Sequence, residues 1–82
     1  MPFMNYRLRM LLEQCKAANS DGRLTRGMLD DVIRETFAYK EPAASDIRHL
    51  LIGLRPGITP KAEIRLRLRQ AQRILSSVAD YD

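Results

Sequence analysis

Apolar residues recur along this chain at helical spacing in four separate runs. Leu8, Leu11, Leu12 and Cys15 follow the i, i+3, i+4, i+7 pattern of one buried face, with Met4 and Ala18 extending it and Arg7, Arg9, Glu13 and Lys16 falling elsewhere. This predicts a first helix over residues 4–18. Met28, Leu29, Val32, Ile33 and Thr36, with Phe37 at the edge, form a broad apolar face that predicts a second helix over 26–38. Ile47, Leu50, Leu51 and Leu54 predict a third over 45–54. In the last run, Ile64, Leu68, Ala71, Leu75 and Val78 fall within an arc of about 80°, a narrow packing seam for a helix over 60–78.

Turn formers separate the runs. Asn19, Ser20, Asp21 and Gly22 stop the first helix, and Thr25 is the expected N-cap of the second, with Leu24 placed to staple onto Leu29. Asp30 and Asp31 lie near the positive end of that helix's dipole. Ser45 is the expected cap of the third helix, although Pro42 would suit an earlier start at the first helical position. Arg55, Pro56, Gly57 and Ile58 break the chain again, and Thr59 with Pro60 signals the start of the last helix.

These elements predict an all-α protein: a small bundle of four helices in a single domain over residues 1–82, joined by short turns that favour antiparallel neighbours. A chain of 82 residues supports one modest core. The outer side of the second helix, with Asp30, Asp31 and Glu35, is expected to pair with a basic last helix.

A second pattern competes in one place. Ile64-Arg65-Leu66-Arg67-Leu68-Arg69 alternates like a half-buried strand, but the Thr-Pro start and the strong helix formers decide for a helix. That choice leaves Leu66 exposed among arginines and moves Arg67 towards the core edge.

Charge gives the last helix its interest. From Lys61 to Arg73 the basic residues Lys61, Arg65, Arg67, Arg69 and Arg73 stand against Glu63 alone, so this segment carries the whole net charge of +4. Arg65, Arg69 and Arg73, four residues apart, form a stripe that points away from the seam. Arginine's planar fork suits phosphate and carboxylate alike.

The remaining chemistry argues against catalysis. Cys15 lies on the packed face and reads as a buried structural thiol; with one cysteine there is no internal disulfide, and with His49 as the only histidine there is no zinc ligand set. His49 lies opposite its helix's apolar stripe and reads as a surface residue. Asp30 and Asp31 diverge by about 100° on a helix and cannot converge on one pocket. The run Asn19-Ser20-Asp21-Gly22-Arg23-Leu24 resembles part of a calcium loop, but Ala17 and Met28 occupy the positions where its first carboxylate and its closing glutamate belong. No phosphate loop, nucleophile elbow or hydrolytic triad is present. A non-enzymatic protein without cofactor or metal is expected.

No run approaches the ~20 apolar residues of a membrane span, Met1 to Asn5 lacks the features of a signal peptide, and a cytoplasmic location without membrane attachment is expected. Aromatics are 6% and tryptophan is absent, so base stacking is not the expected mode of contact. The Met start and small size fit a stand-alone regulatory protein of bacterial or phage type.

Two partners fit the basic helix. Nucleic acid is the leading expectation, with Arg65, Arg69 and Arg73 on phosphates and Arg55 and Lys61 beside them. The alternative is a protein adaptor or inhibitor that presents Leu66, ringed by arginine, to an acidic protein surface or a homodimer mate. A helix-turn-helix reader is less well matched, because the connection from Arg55 to Thr59 is longer than the usual tight turn and Gln70 and Gln72 point to different sides. A solvated face with no partner is the remaining reading.

Overall fold

Two long helices and two short ones make up the protein. In this computed structural model the backbone of residues 3–79 and the side chains of residues 6–77 are described. The expected contributions of Met4 and Val78 to their stripes, and the acidic end at Asp80-Tyr81-Asp82, lie outside the described side chains. Helix α1 runs Phe3–Ser20, α2 Arg26–Thr36, α3 Pro42–Leu51 and α4 Lys61–Ala79. No strand occurs among the described residues, and the stretch around Leu66 is helical.

Each helix packs on two others in a ring: α1 on α2 and α4, α3 on α2 and α4. The ring surrounds one core. Leu8, Leu12 and Cys15 from α1 meet Leu29 and Val32 from α2, Ile47 and Leu51 from α3, and Ile64, Leu68, Ala71 and Leu75 from α4. All are residues of the sequence-derived stripes. Fully burying each large aliphatic side chain is worth about 1.5–3 kcal/mol, which is the main force holding the four amphipathic helices together. Neighbours run antiparallel: Arg7 faces Glu35 while Cys15 faces Met28 across α1 and α2, and Asn19 faces Lys61 while Glu13 faces Gln72 across α1 and α4.

Helix ends show where local chemistry departs from expectation. At the end of α1 the Arg23 N–H donates to the Ala18 carbonyl and the Gly22 N–H to that of Asn19, with Gly22 at φ 72°. This is a Schellman cap, which needs a residue that enters the left-handed region without strain. The segment resembling a calcium loop is therefore a helix stop, with the Asp21 carboxylate on Arg23 at 2.9 Å. Thr25 caps α2 as expected, its hydroxyl accepting from the Met28 N–H at 3.2 Å.

Three expectations are corrected. Helix α3 starts at Pro42, after Glu41, and not at Ser45, because proline at the first position loses no hydrogen bond there. It also ends at Leu51; Leu54 is buried from the following turn. Thr59 does not cap α4: its hydroxyl accepts from the Arg55 N–H at 2.9 Å, closing the link, while the Pro60 carbonyl receives the first helical bond from Ile64. Finally, the acidic side of α2 does not meet α4, since the two helices are not in contact. Asp30 and Asp31 fall beyond the first turn and pair within their own helix with Arg26 and Arg34, and Glu35 reaches Arg7 of α1 at 2.9 Å.

Candidate nucleic-acid interface

Helix α4 divides into an anchored inner half and an unengaged outer half. Its seam, Ile64, Leu68, Ala71 and Leu75, is buried. On the flank towards α1, the Gln72 amide is used at both ends: Nε2 donates to Glu13 Oε2 at 2.8 Å, and Oε1 accepts from Lys16 Nζ at 3.4 Å. On the flank towards α3, Arg67 is half-buried. Its Nε donates to Glu63 Oε2 at 3.0 Å and its Nη1 to the Leu50 carbonyl at 3.2 Å, near the end of α3. Arg67 therefore sits at the core edge, where the alternating sequence put it, and fixes α4 against α3.

The N-terminal end of α4 is tied down as well. Asn19, buried, donates from Nδ2 to the Lys61 carbonyl at 3.2 Å, and Lys61 Nζ donates to the Ser20 carbonyl at 3.3 Å. A cation on the last carbonyls of α1 offsets the negative end of that helix. Lys61 thus has a structural engagement that the sequence did not disclose. Arg55 lies in the link between α3 and α4, residues 52–60, with an exposed side chain. That link is too long for a helix-turn-helix, whose turn takes about 3–4 residues.

The outer half carries Arg65, Arg69 and Arg73, all exposed. Successive members rise by about 6 Å and rotate by about 40°, so the row crosses the outer face over about 12 Å. It starts at a hollow shared with α1, where Arg65 neighbours Lys61, Lys16 and Glu13, and ends at a groove shared with α3, where Arg73 faces Asp46 and His49. Leu66 lies beside the row at 51% exposure.

Accounting for the other cations isolates this row. Arg7, Arg23, Arg26, Arg34 and Arg67 are in ion pairs, Lys16 and Lys61 donate to oxygens, and Arg9 is also engaged. Arg48 stacks over the Phe37 ring at 3.9 Å and donates to Thr36 Oγ1 at 3.0 Å. Among the described residues, only Lys40, Arg55, Arg65, Arg69 and Arg73 have basic side chains without such a contact. Glu63, the acid of α4, is held by Arg67 on the inner flank. Three guanidinium groups therefore share one surface outside any ion pair, with Glu13 of α1 and Asp46 of α3 at its two ends. Each can donate in pairs to phosphate or carboxylate oxygens.

Other candidate groups are placed differently. Cys15 is in the core, its thiol towards the Met28 carbonyl at 3.6 Å, and burial first, with Asp31 second, pushes it up to about 11. Such a thiol stays protonated near neutral pH. His49 is exposed, with Nδ1 3.5 Å from Ser45 Oγ. Among the described residues no three His, Cys, Asp or Glu side chains are grouped to hold a metal, and no described helix is long and apolar enough to cross a membrane.

Two polar assemblies were missed in the sequence. Glu35 accepts from Arg7 and, at 3.0 Å, from the Tyr39 hydroxyl, whose pKa is raised by desolvation and then by this hydrogen bond. The Glu35–Tyr39 spacing of i, i+4 was a legible signal; the partner on α1 was not. Arg48 on Thr36 and Phe37 is the second, and its i, i+12 spacing carries no periodic signal.

Comparison of the chain with protein-family models, with curated proteins and with solved structures gives no match. The fold and surface define a class in physical terms: a small four-helix bundle that presents one unpaired arginine row on its last helix.

Proposed function

We propose that this protein is a non-catalytic nucleic-acid-binding protein that grips the phosphate backbone with α4. The observation that carries the proposal is the exposed row of Arg65, Arg69 and Arg73, in no ion pair among the described residues, on a helix whose other flanks are pinned. Fixing the helix before binding reduces the ordering cost of contact. Arg55, in the link ahead of α4, and Lys61, when not on Ser20, add charge at the same end. Gln72 is occupied by Glu13 and Lys16, which removes one candidate for reading base edges and favours contact independent of sequence.

Titration of a labelled duplex and a labelled single strand at low salt tests this. Arg65→Glu/Arg69→Glu should weaken binding about a hundredfold, equally across sequences, with the helical circular dichroism unchanged. Unchanged affinity in that variant overturns the proposal.

A second reading rests on Leu66. An apolar side chain 51% exposed beside three arginines suits a protein interface with an acidic partner. In that case Leu66→Ala removes partner binding, whereas on phosphate it changes affinity little. A homodimer through this same face is disfavoured, since two-fold symmetry would bring one arginine row onto another.

A further inference from the structure

Between α3 and α4 lies a groove of about 480 Å³. Its floor is Leu50 and Ile74, both half-buried on the core, and its rims are Asp46 and His49 on α3 and Gln70 and Arg73 on α4. Asp46, Gln70 and Arg73 make no side-chain hydrogen bond or ion pair among the described residues. Acid and base thus face one another across an apolar floor without closing on each other.

We infer that this groove is a two-fold dimer interface, occupied by the same groove of a second copy. The reason is its charge pattern. Helices α3 and α4 run antiparallel here, since Arg67 meets Leu50 while Asp46 lies with Arg73 in the groove. A two-fold axis along the groove lays α3 of each copy over α4 of the other at the same level. Both Asp46–Arg73 pairs then form at once between copies, and the two Leu50–Ile74 floors meet. Reciprocity of this kind is what an isologous interface requires. An anionic ligand would meet Asp46, so the groove is a poor continuation of the phosphate surface. A chain of 82 residues, with little core to spare, gains stability from such burial.

Sedimentation or light-scattering mass across a concentration series decides this. The wild-type protein should associate to twice its chain mass. Asp46→Arg alone and Arg73→Asp alone should each weaken association by about a hundredfold, and the double swap Asp46→Arg/Arg73→Asp should restore it. Both positions are exposed, so helicity should be kept. A monomer at every concentration up to about a millimolar, single reversals that leave association intact, or a double swap that fails to restore it would each overturn the inference. The phosphate row shares Arg73 with this groove, so the two are separated by Asp46→Arg, which leaves the row intact, and by Arg65→Glu/Arg69→Glu, which leaves the groove intact.

Discussion

Asp31 and Glu35 lie one turn apart on α2 and each holds an arginine, yet their loss should cost different amounts. Asp31 pairs with Arg34 on its own helix at 3.4 Å with both side chains more than half exposed; Glu35 has 18% side-chain exposure and joins Arg7 of α1 to Tyr39. Water screens the first pair and leaves the second to fasten two elements. Asp31→Ala should change stability by less than about 0.5 kcal/mol in denaturant unfolding, and Glu35→Ala should lower it by about 1–2 kcal/mol. Equal costs would contradict this ranking. Cys15 makes a residue-scale prediction in pH. Its folded value of about 11 lies above the ordinary 9.0, so its contribution to stability is full below the ordinary value and is lost as pH rises through about 11. Tyr39, also raised, acts in the same sense. Cys15→Ala should flatten the alkaline loss of stability between those values, and a thiol reagent at neutral pH should label Cys15 only as fast as the protein opens.

At the scale of the element, what could be read from sequence depended on whether the controlling interaction was local. The seam of α4, the helical reading of its alternating stretch, the exposure of Leu66 and the edge position of Arg67 all follow from about 100° per residue, and all hold within the described side chains. The Thr25 cap is equally local, three residues from its donor. Thr59 and Ser45 failed for a definable reason. Each is a good cap by residue type, but the Arg55 N–H claims the Thr59 hydroxyl, and Pro42 starts α3 before Ser45 is reached. Competition between neighbouring caps is not visible in a residue's own preference. The acidic face of α2 was misassigned to α4 because sequence patterns give each helix's faces and not the order of helices round the ring. The arginine row was legible as a stripe; that Lys61, Arg67 and Gln72 are committed to α1 and α3 became apparent from distances alone.

Across the whole molecule, charge is distributed unevenly in a way that composition hides. The net +4 is carried by a protein in which five arginines sit in ion pairs and another stacks on a ring, leaving α4 with a concentrated field. The groove between α3 and α4 balances Asp46 against Arg73 and suits a second copy, while the face ahead of it, at Arg65 and Arg69, has no such balance. On the two proposals made above, adjoining surfaces of one helix take partners of different chemistry. Salt separates them: phosphate contact releases counterions from the nucleic acid, and each contact contributes about 0.9 to the slope of log affinity against log salt on duplex DNA. The most direct measurement is that slope for the wild-type protein and for Arg65→Glu/Arg69→Glu. A steep wild-type slope that falls by about 1.8 or more in the variant is the expected result; a flat wild-type response, or the same slope in both proteins, would contradict the assignment of α4 as a phosphate-binding helix.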